Sequence, residues 1–152
     1  MNRIPLVIAA CLTTALAAES SGQTFTAIPN SFSAMDISPD GRWIVGSASG
    51  GPYRYDTQTG AMLFLPGGFD ATGVSDDGQI IVGCMPDPED GVEVAGMWTE
   101  GTGWVSLGYL PDALNCPSRS NAYEVSGDGT VVTGLSWDGC SGRAFVWTQA
   151  TG

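Results

Sequence analysis

The chain has 152 residues, of which 43% are hydrophobic and 22 are glycine, so it can bury the core of one domain and is rich in tight turns. Sixteen acidic residues face five arginines, with no lysine or histidine, and the net charge at pH 7 is −11. Such a surface repels phosphate backbones and anionic membranes, which argues against nucleic-acid binding and for a solvated acidic exterior.

The N-terminus has the pattern of a secretion signal over residues 1–17. Arg3 supplies the positive start, Ile4–Leu16 is mostly apolar, and Ala15–Ala17 is a small-x-small cleavage site. The apolar run is too short for a stable membrane span. We therefore expect a mature chain that begins near Ala18 and is secreted, periplasmic or displayed on the surface of a bacterium.

One stretch occurs three times, at Ser38–Gly46, Ser75–Gly83 and Ser126–Gly134. Each copy has a Ser-x-Asp-Gly step and a closing Gly at fixed places, an Ala four residues upstream and a β-branched residue directly before the Ser. Self-similarity of this kind indicates a repeat architecture. We place a polar linker at 18–24 and one repeat domain at 25–152, with repeats at about 34–70, 71–121 and 122–152.

Each repeat offers four strand candidates. The first runs from the Ala to the Ser, Ser-x-Asp-Gly forms a tight turn, and the second is the apolar run that ends at the closing Gly. The third carries a recurring aromatic residue expected in the core, and the fourth is Met62–Leu65 or Trp104–Leu107; the recurring aromatics are Tyr55, Trp98 and Trp147. Repeats of this size and strand number predict an all-β, β-propeller-like array of about three four-stranded antiparallel blades.

The joints between the predicted strands differ in length in a regular way. The first-to-second and third-to-fourth turns are constant, whereas the other joints vary from repeat to repeat. In an up-and-down meander the variable joints emerge at one end of every sheet. That end is therefore the candidate for recognition.

The pattern Ala71-x-x-Val-Ser-x-Asp-Gly-x-x-Val-x-Gly83, together with Arg143–Thr148, resembles the HAF-type extracellular repeats of bacterial secreted and surface proteins. The His-Ala-Phe triplet of that family stands here as Arg143-Ala144-Phe145. The resemblance covers nearly all of the chain after about residue 25. It implies an extracellular propeller-like module and carries over no catalytic residues.

The segment Phe25–Ile28 reads as a fourth strand that precedes the first full repeat. Residues 27–34 align without gaps on residues 64–71, which join one repeat to the next. We expect Phe25–Ile28 to act as the closing fourth strand of the last blade of an incomplete propeller. Because propellers typically have four to eight blades, three blades leave open a piece of a longer array, closure by association of chains, or a strained three-bladed ring.

Three cysteines remain after the leader: Cys84, Cys116 and Cys140. A Cys116–Cys140 disulfide would close a loop of about 25 residues and add about 3–4 kcal/mol in the chain-entropy model. Cys84–Cys116 is the alternative pairing, and Cys84 is otherwise a buried free thiol. A further alternative is lipoprotein processing at Cys11, which would leave an unusually short leader.

No metal site or cofactor is expected. The cysteines lack paired spacing, and there is no histidine to complete a zinc site. The acidic loop Asp87–Glu93 could hold Ca²⁺, but it lacks the alternating ligands of a dedicated calcium loop, and an exposed acidic loop explains it as well.

The variable end holds the candidate binding residues. Trp137 is an aromatic that does not recur, and it stands close to Asp138 and Arg143; the acidic candidates are Asp87, Glu89 and Asp90. A Ser–Asp nucleophile pair is disfavoured, because both residues lie in one turn that occurs three times. We expect no catalytic residues.

The function predicted from these features is a non-enzymatic module for binding or surface scaffolding, and a fragment of a longer repeat protein. Its partner would be an extracellular ligand or additional repeats of the same protein. One alternative is a glycan-active hydrolase or lyase that uses carboxylates of the variable end. The other is a structural passenger segment of a larger surface protein.

Overall fold

In the computed structural model, residues 24–110, 118–137 and 140–150 are described. Within these ranges the chain is all-β, with eleven strands in three antiparallel sheets and no helix. The predicted fold class is therefore confirmed. The predicted signal peptide and all but the last residue of the linker lie outside the described residues.

The first two sheets are four-stranded meanders, and the third has three strands in the order β11-β10-β9. The first sheet contains β1 (Ser31–Ile37), β2 (Trp43–Ala48), β3 (Gly51–Asp56) and β4 (Met62–Phe64). The second contains β5 (Asp70–Val74), β6 (Ile81–Pro86), β7 (Glu93–Thr99) and β8 (Gly103–Gly108). The third contains β9 (Arg119–Val125), β10 (Val131–Trp137) and β11 (Gly142–Thr148).

The expected closing strand Phe25–Ile28 does not form. Residues 24–28 have no strand geometry, and Phe25 is fully exposed. The array is open, so this segment stays beside the first sheet, where the carbonyl of Ile28 accepts a 2.8 Å hydrogen bond from the Ser31 hydroxyl. A strand needs a neighbouring edge to satisfy its backbone, and the N-terminal segment does not reach the third sheet.

The three Ser-x-Asp-Gly steps form the same turn. In each, the Ser hydroxyl donates to the Asp carboxylate at 2.6–2.7 Å and accepts from the amide five residues on, at 2.9–3.0 Å. The turn glycines Gly41, Gly78 and Gly129 have φ of 74°, 72° and 75°, a conformation that favours glycine. The repeated motif is therefore a structural cap, as predicted.

These bonds also set the charge state of the turns. The Ser38 and Ser126 hydroxyls hold the pKa values of Asp40 and Asp128 below their usual range, and the Gln79 amide does the same for Asp77. A carboxylate that accepts several hydrogen bonds is favoured in its charged form. All three turns are consequently held together by ionised aspartates at neutral pH.

Two apolar cores lie between the sheets. The first joins the first and second sheets through Val45, Leu65, Ala71, Val74, Ile81 and Trp98. The second joins the second and third sheets through Val82, Ala95, Ala122, Val125 and Val132. Burying one such Val, Leu or Ile side chain is worth about 1.5–3 kcal/mol. Trp98 is 5% exposed and Trp147 packs against the second core, which confirms the predicted core role for these two recurring aromatics. Tyr55 is only half-buried and belongs to neither core, because the neighbouring Tyr53 is the fully buried aromatic of β3.

Candidate functional site

The variable joints lie at one end of the stack, as the meander order requires. Within a sheet, the second-to-third joint is Ser49–Gly50 in the first sheet, 87–92 in the second and 138–141 in the third, where the structure describes only 140–141. Between sheets, the joints are 65–69 and 109–118, and of the second the structure describes 109, 110 and 118. We call this the loop end, and the opposite end, with the Ser-x-Asp-Gly turns, the turn end.

The acidic loop of the second sheet is ordered by its own carboxylates. Asp87 Oδ1 accepts from the Glu89 amide at 2.8 Å, and Asp90 Oδ1 accepts from the Val92 amide at 2.8 Å. The Asp87 amide donates to the Val92 carbonyl at 2.7 Å and closes the loop. The two aspartates therefore cap backbone groups, as such residues commonly do in turns.

No metal site was expected at this loop, and Ca²⁺ binding there stays an untested alternative. In the parts of the chain that the structure describes, no group of three or more His, Cys, Asp or Glu is arranged to hold a metal ion. Glu93 Oε1 instead accepts a 2.9 Å hydrogen bond from the Asn121 amide group, which links the loop end of the second sheet to the third.

Tyr109, which the sequence analysis did not select, lies beside the acidic loop. It follows β8 directly and is 48% exposed. An open depression connects the two; its lining is Asp87, Pro88, Glu89, Ser106, Gly108 and Tyr109. The sequence signal that could have identified it is an aromatic residue in a variable joint, because aromatic side chains are enriched where proteins bind partners.

Trp137 and Arg143 lie on the third sheet. Trp137 ends β10 and pairs with Gly142, against which its indole ring packs. Arg143 is exposed and pairs with Ser136 across the β10–β11 ladder. Asp138 lies outside the described residues. The five predicted binding residues that the structure describes thus divide into two groups: Asp87, Glu89 and Asp90 at the second sheet, and Trp137 and Arg143 on the third.

An apolar groove lies between the end of β8 and β11. Its cavity volume is about 150 Å³, and it is lined by Leu107–Leu110, Ser136 and Phe145–Trp147. The Ser136 hydroxyl accepts from the Leu110 amide at 2.9 Å and fixes one wall. The groove holds no acidic side chain, which sets it apart from the depression beside Asp87.

Cys84 is buried and has a free thiol, as one of the sequence alternatives predicted. Burial raises the pKa of this thiol above its usual range, with smaller contributions from Asp70 and Glu93. A thiol of this kind is unreactive because the nucleophilic thiolate is disfavoured. Cys116 lies outside the described residues, so its pairing with Cys140 stays a prediction.

Two carboxylates that the sequence analysis did not select, Asp36 of β1 and Glu124 of β9, repel each other electrostatically. Burial, together with the negative charge of Asp36, raises the pKa of Glu124. Asp36 itself accepts from the amides of Ile37 and Val74, at 2.7 and 2.9 Å. Asp36 is therefore part of the contact between the first and second sheets.

Comparisons with known proteins identify the fold. No family model and no curated protein sequence matches the chain. Among solved structures, the chain is similar to the crystal structure of TolB from Acinetobacter baumannii, with a TM-score of 0.58 and 19% sequence identity. The match covers 81% of this chain and 31% of that one. In the described residues, no helix is long and apolar enough to cross a membrane. The structural match supports a propeller-like array, and the HAF-type resemblance stays a prediction.

Proposed function

We propose that this chain is a secreted, non-enzymatic propeller-type module that binds a protein partner through its loop end. The observation that carries the proposal is the contrast between the two ends of the stack. The turn end repeats one hydrogen-bonded turn three times, whereas the loop end differs in every sheet and presents the exposed Tyr109 beside Asp87 and Glu89. Variable loops on a rigid scaffold are a common location for recognition.

The chemistry of the depression favours a partner with basic side chains. Asp87 and Glu89 supply negative charge next to an aromatic ring, a combination that suits Arg or Lys through ion pairing and cation–π contact. The net charge of −11 strengthens long-range attraction of such a partner. Trp137 and Arg143 of the third sheet, with Asp138, would extend the surface.

The hydrogen bonds of the loop weaken the glycan-active alternative. Asp87 and Asp90 each accept a bond from a backbone amide of their own loop, which is a structural task. An acid–base pair for glycoside cleavage requires two carboxyl groups that converge on one bond, about 5–10 Å apart. We therefore place binding before catalysis.

The test uses a peptide library displayed on phage, selected against the mature chain. We expect enriched peptides rich in Arg and Lys whose affinity falls at least tenfold for the triple variant Asp87→Asn, Glu89→Gln, Tyr109→Ala. A control variant at the turn end, Gln58→Ala with Thr130→Ala, should bind them unchanged. Peptides that lose affinity only with the turn-end variant would contradict the proposal, and turnover of a glycan panel that disappears in Asp87→Asn or Glu89→Gln would favour the enzyme.

A further inference from the structure

Each sheet contacts the next through the same pair of positions. The residue five places after the turn Ser packs against the turn Gly of the following sheet: Trp43 against Gly78, and Ile80 against Gly129. A Cβ on either glycine would overlap the side chain that covers it. We call the side of a sheet that faces the next sheet along the chain its forward face, and the opposite side its rear face.

The rear face of the first sheet is apolar and open. In the second and third sheets the rear-face positions are at most 4% exposed: Ala71, Val74, Ile81, Ala122, Val125 and Val132. Their counterparts in the first sheet are Ala34, Ile37 and Ile44, of which Ile37 is 52% exposed. Gly41, the counterpart of Gly78 and Gly129, has open space where a Cβ would project.

The forward face of the third sheet is also exposed, and its residues correspond to those with which the second sheet contacts the third. In the second sheet, the forward positions Ile80, Val82 and Met97 pack in the second core. Their counterparts in the third sheet are Val131, Thr133 and Val146, of which Val146 is 70% exposed and Thr133 is also exposed. Val131 thus occupies the position that Trp43 and Ile80 use to cover a turn glycine.

The outer edge of the third sheet offers a second match. Among the described strands, β11 pairs only with β10. In the second sheet, the fourth strand, β8, pairs with the outer edge of the third strand, β7. Trp104 of β8 donates from Nε1 to the Leu65 carbonyl at 3.1 Å and packs over Gly68. The groove along Leu107–Leu110 and Phe145–Trp147 is the equivalent place beside the third sheet.

The N-terminal segment has the sequence of the strand that this groove lacks. Residues 27–34 align on residues 64–71, which lead from the fourth strand of the first sheet into β5. Phe25 is fully exposed, and residues 24–28 form no strand. By this alignment, Phe25–Ile28 corresponds to the fourth strand of the sheet that packs against the rear face of the first sheet.

We propose that a second copy of this chain docks head to tail, with the rear face of its first sheet on the forward face of the third sheet. Val131 then packs against Gly41 of the second copy, and Phe25–Ile28 of that copy pairs along β11 and fills the groove. The contact repeats the one used twice within the chain, so it needs no new surface chemistry. Joined at both ends, two copies make a ring of six sheets, within the four to eight of known propellers.

Charge gives the dimer a recognisable salt dependence. The full sequence carries a net charge of −11, and the mature chain, which lacks Arg3, has four Arg against sixteen acidic residues, or −12. Two copies therefore repel each other at long range. Added salt screens this repulsion, because the Debye length falls from roughly 30 Å at 0.01 M to about 8 Å at 0.15 M. Association through apolar faces should therefore tighten as the salt concentration rises over that range.

The mature chain tests the proposal by sedimentation velocity and light scattering at micromolar concentrations. We expect twice the monomer mass, and a tighter dimer at 0.15 M than at 0.01 M salt. Ile37→Arg, on the rear face, and Val146→Arg, on the forward face, should each raise the dissociation constant at least 100-fold. Val105→Arg alters a 50% exposed valine on the outer strand of the second sheet and should leave the dimer intact.

Mixing the two variants distinguishes this head-to-tail contact from an isologous one, in which the same face of both copies would meet. Ile37→Arg keeps an intact forward face and Val146→Arg an intact rear face, so an equimolar mixture should recover a dimer through one contact. Circular dichroism would establish that both variants are folded. A monomeric mature chain would overturn the proposal, and it is the result expected if these faces pack only against further repeats of a longer chain. A mixture of the two variants that stays monomeric would overturn it as well. Neither Ile37 nor Val146 lines the depression beside Asp87 and Glu89, so peptide binding measured on the Ile37→Arg variant tests the proposed function separately from dimer formation.

Discussion

The guanidinium carbon of Arg54 lies 4.7 Å from the centroid of the Trp43 ring, while its Nη1 donates to the Gly78 carbonyl at 2.6 Å. Arg54 belongs to the first sheet and Gly78 to the turn of the second, so this side chain connects two sheets. Arg42 lies over the same indole, at 4.4 Å. Trp43 is therefore held between the turn glycine of the next sheet and two cations, which favours one orientation of the ring.

Replacing Arg54 by Met should destabilise the chain by about 1–3 kcal/mol, because it removes a charged hydrogen bond to a backbone carbonyl and a cation–π contact. Met keeps the apolar stem, so the loss reports on the guanidinium. Urea unfolding followed by circular dichroism would measure it. Arg119→Met, at an exposed position of β9, is the control and should change stability by less than about 0.5 kcal/mol. Equal losses in both variants would contradict the bridging role.

The turn glycines separate backbone strain from contact between sheets. Gly78 and Gly41 have φ of 72° and 74°, but only Gly78 meets the Trp43 ring. Gly41→Ala should cost about 1 kcal/mol in the monomer from backbone strain alone, whereas Gly78→Ala should cost several kcal/mol more, because the indole must move. Urea unfolding of dilute protein would measure both. A similar loss for both variants would show that the sheets do not depend on this packing.

The spacing of the three sequence repeats predicted more of the fold than of the candidate site. The Ser-x-Asp-Gly turns could be read from sequence because Ser, Asp and Gly act locally, on amides within five residues. Contacts such as Arg54 to Gly78 could not, because they join positions 24 residues apart whose residue types differ from repeat to repeat. Phe25–Ile28 was misplaced for a related reason: its sequence suits a strand, but strand formation depends on an edge that the open array does not bring to it.

The Ser75 hydroxyl is expected to stabilise the chain and not to react. It is 1% exposed, donates to Asp77 and accepts from the Ile80 amide at 3.0 Å. Ser75→Ala leaves that amide without its partner and should cost about 1–3 kcal/mol. Ser126→Ala makes the same change in a less buried turn and should cost less. The free energy of urea unfolding tests both, and a Ser75→Ala variant as stable as the unmodified chain would contradict the cap.

The cysteines should divide by reactivity. Cys84 is buried and its pKa is raised, so a thiol reagent should modify it only in urea. Peptide mapping without reductant should show Cys116 linked to Cys140, and reduction should lower the free energy of unfolding by about 3–4 kcal/mol. Rapid labelling of Cys84 in the native chain, or a peptide linking Cys84 to Cys116, would contradict this assignment.

Stability should pass through a maximum in mildly acidic solution. Asp40, Asp77 and Asp128 have folded pKa values below their unfolded values of about 3.9, so their contribution is complete above that pH and is lost as the pH falls through the folded values. Glu124 has the opposite sign. Its folded pKa is raised, so its charged form opposes folding near neutral pH, and this cost disappears as the pH falls to about 4.3.

Urea midpoints measured from pH 7 to pH 2.5 would test both signs. We expect the urea midpoint to rise slightly as the pH falls to about 4.3, because Glu124 becomes protonated. Below pH 4 it should fall steeply, because the aspartates of the three turns lose their charge. Glu124→Gln should remove the rise and leave the fall. Asp77→Asn should lower stability at pH 7 and make the acid loss shallower, since one of the three titrating caps is absent. If Glu124→Gln abolished the loss of stability below pH 4, protonation of the turn aspartates would not be its cause.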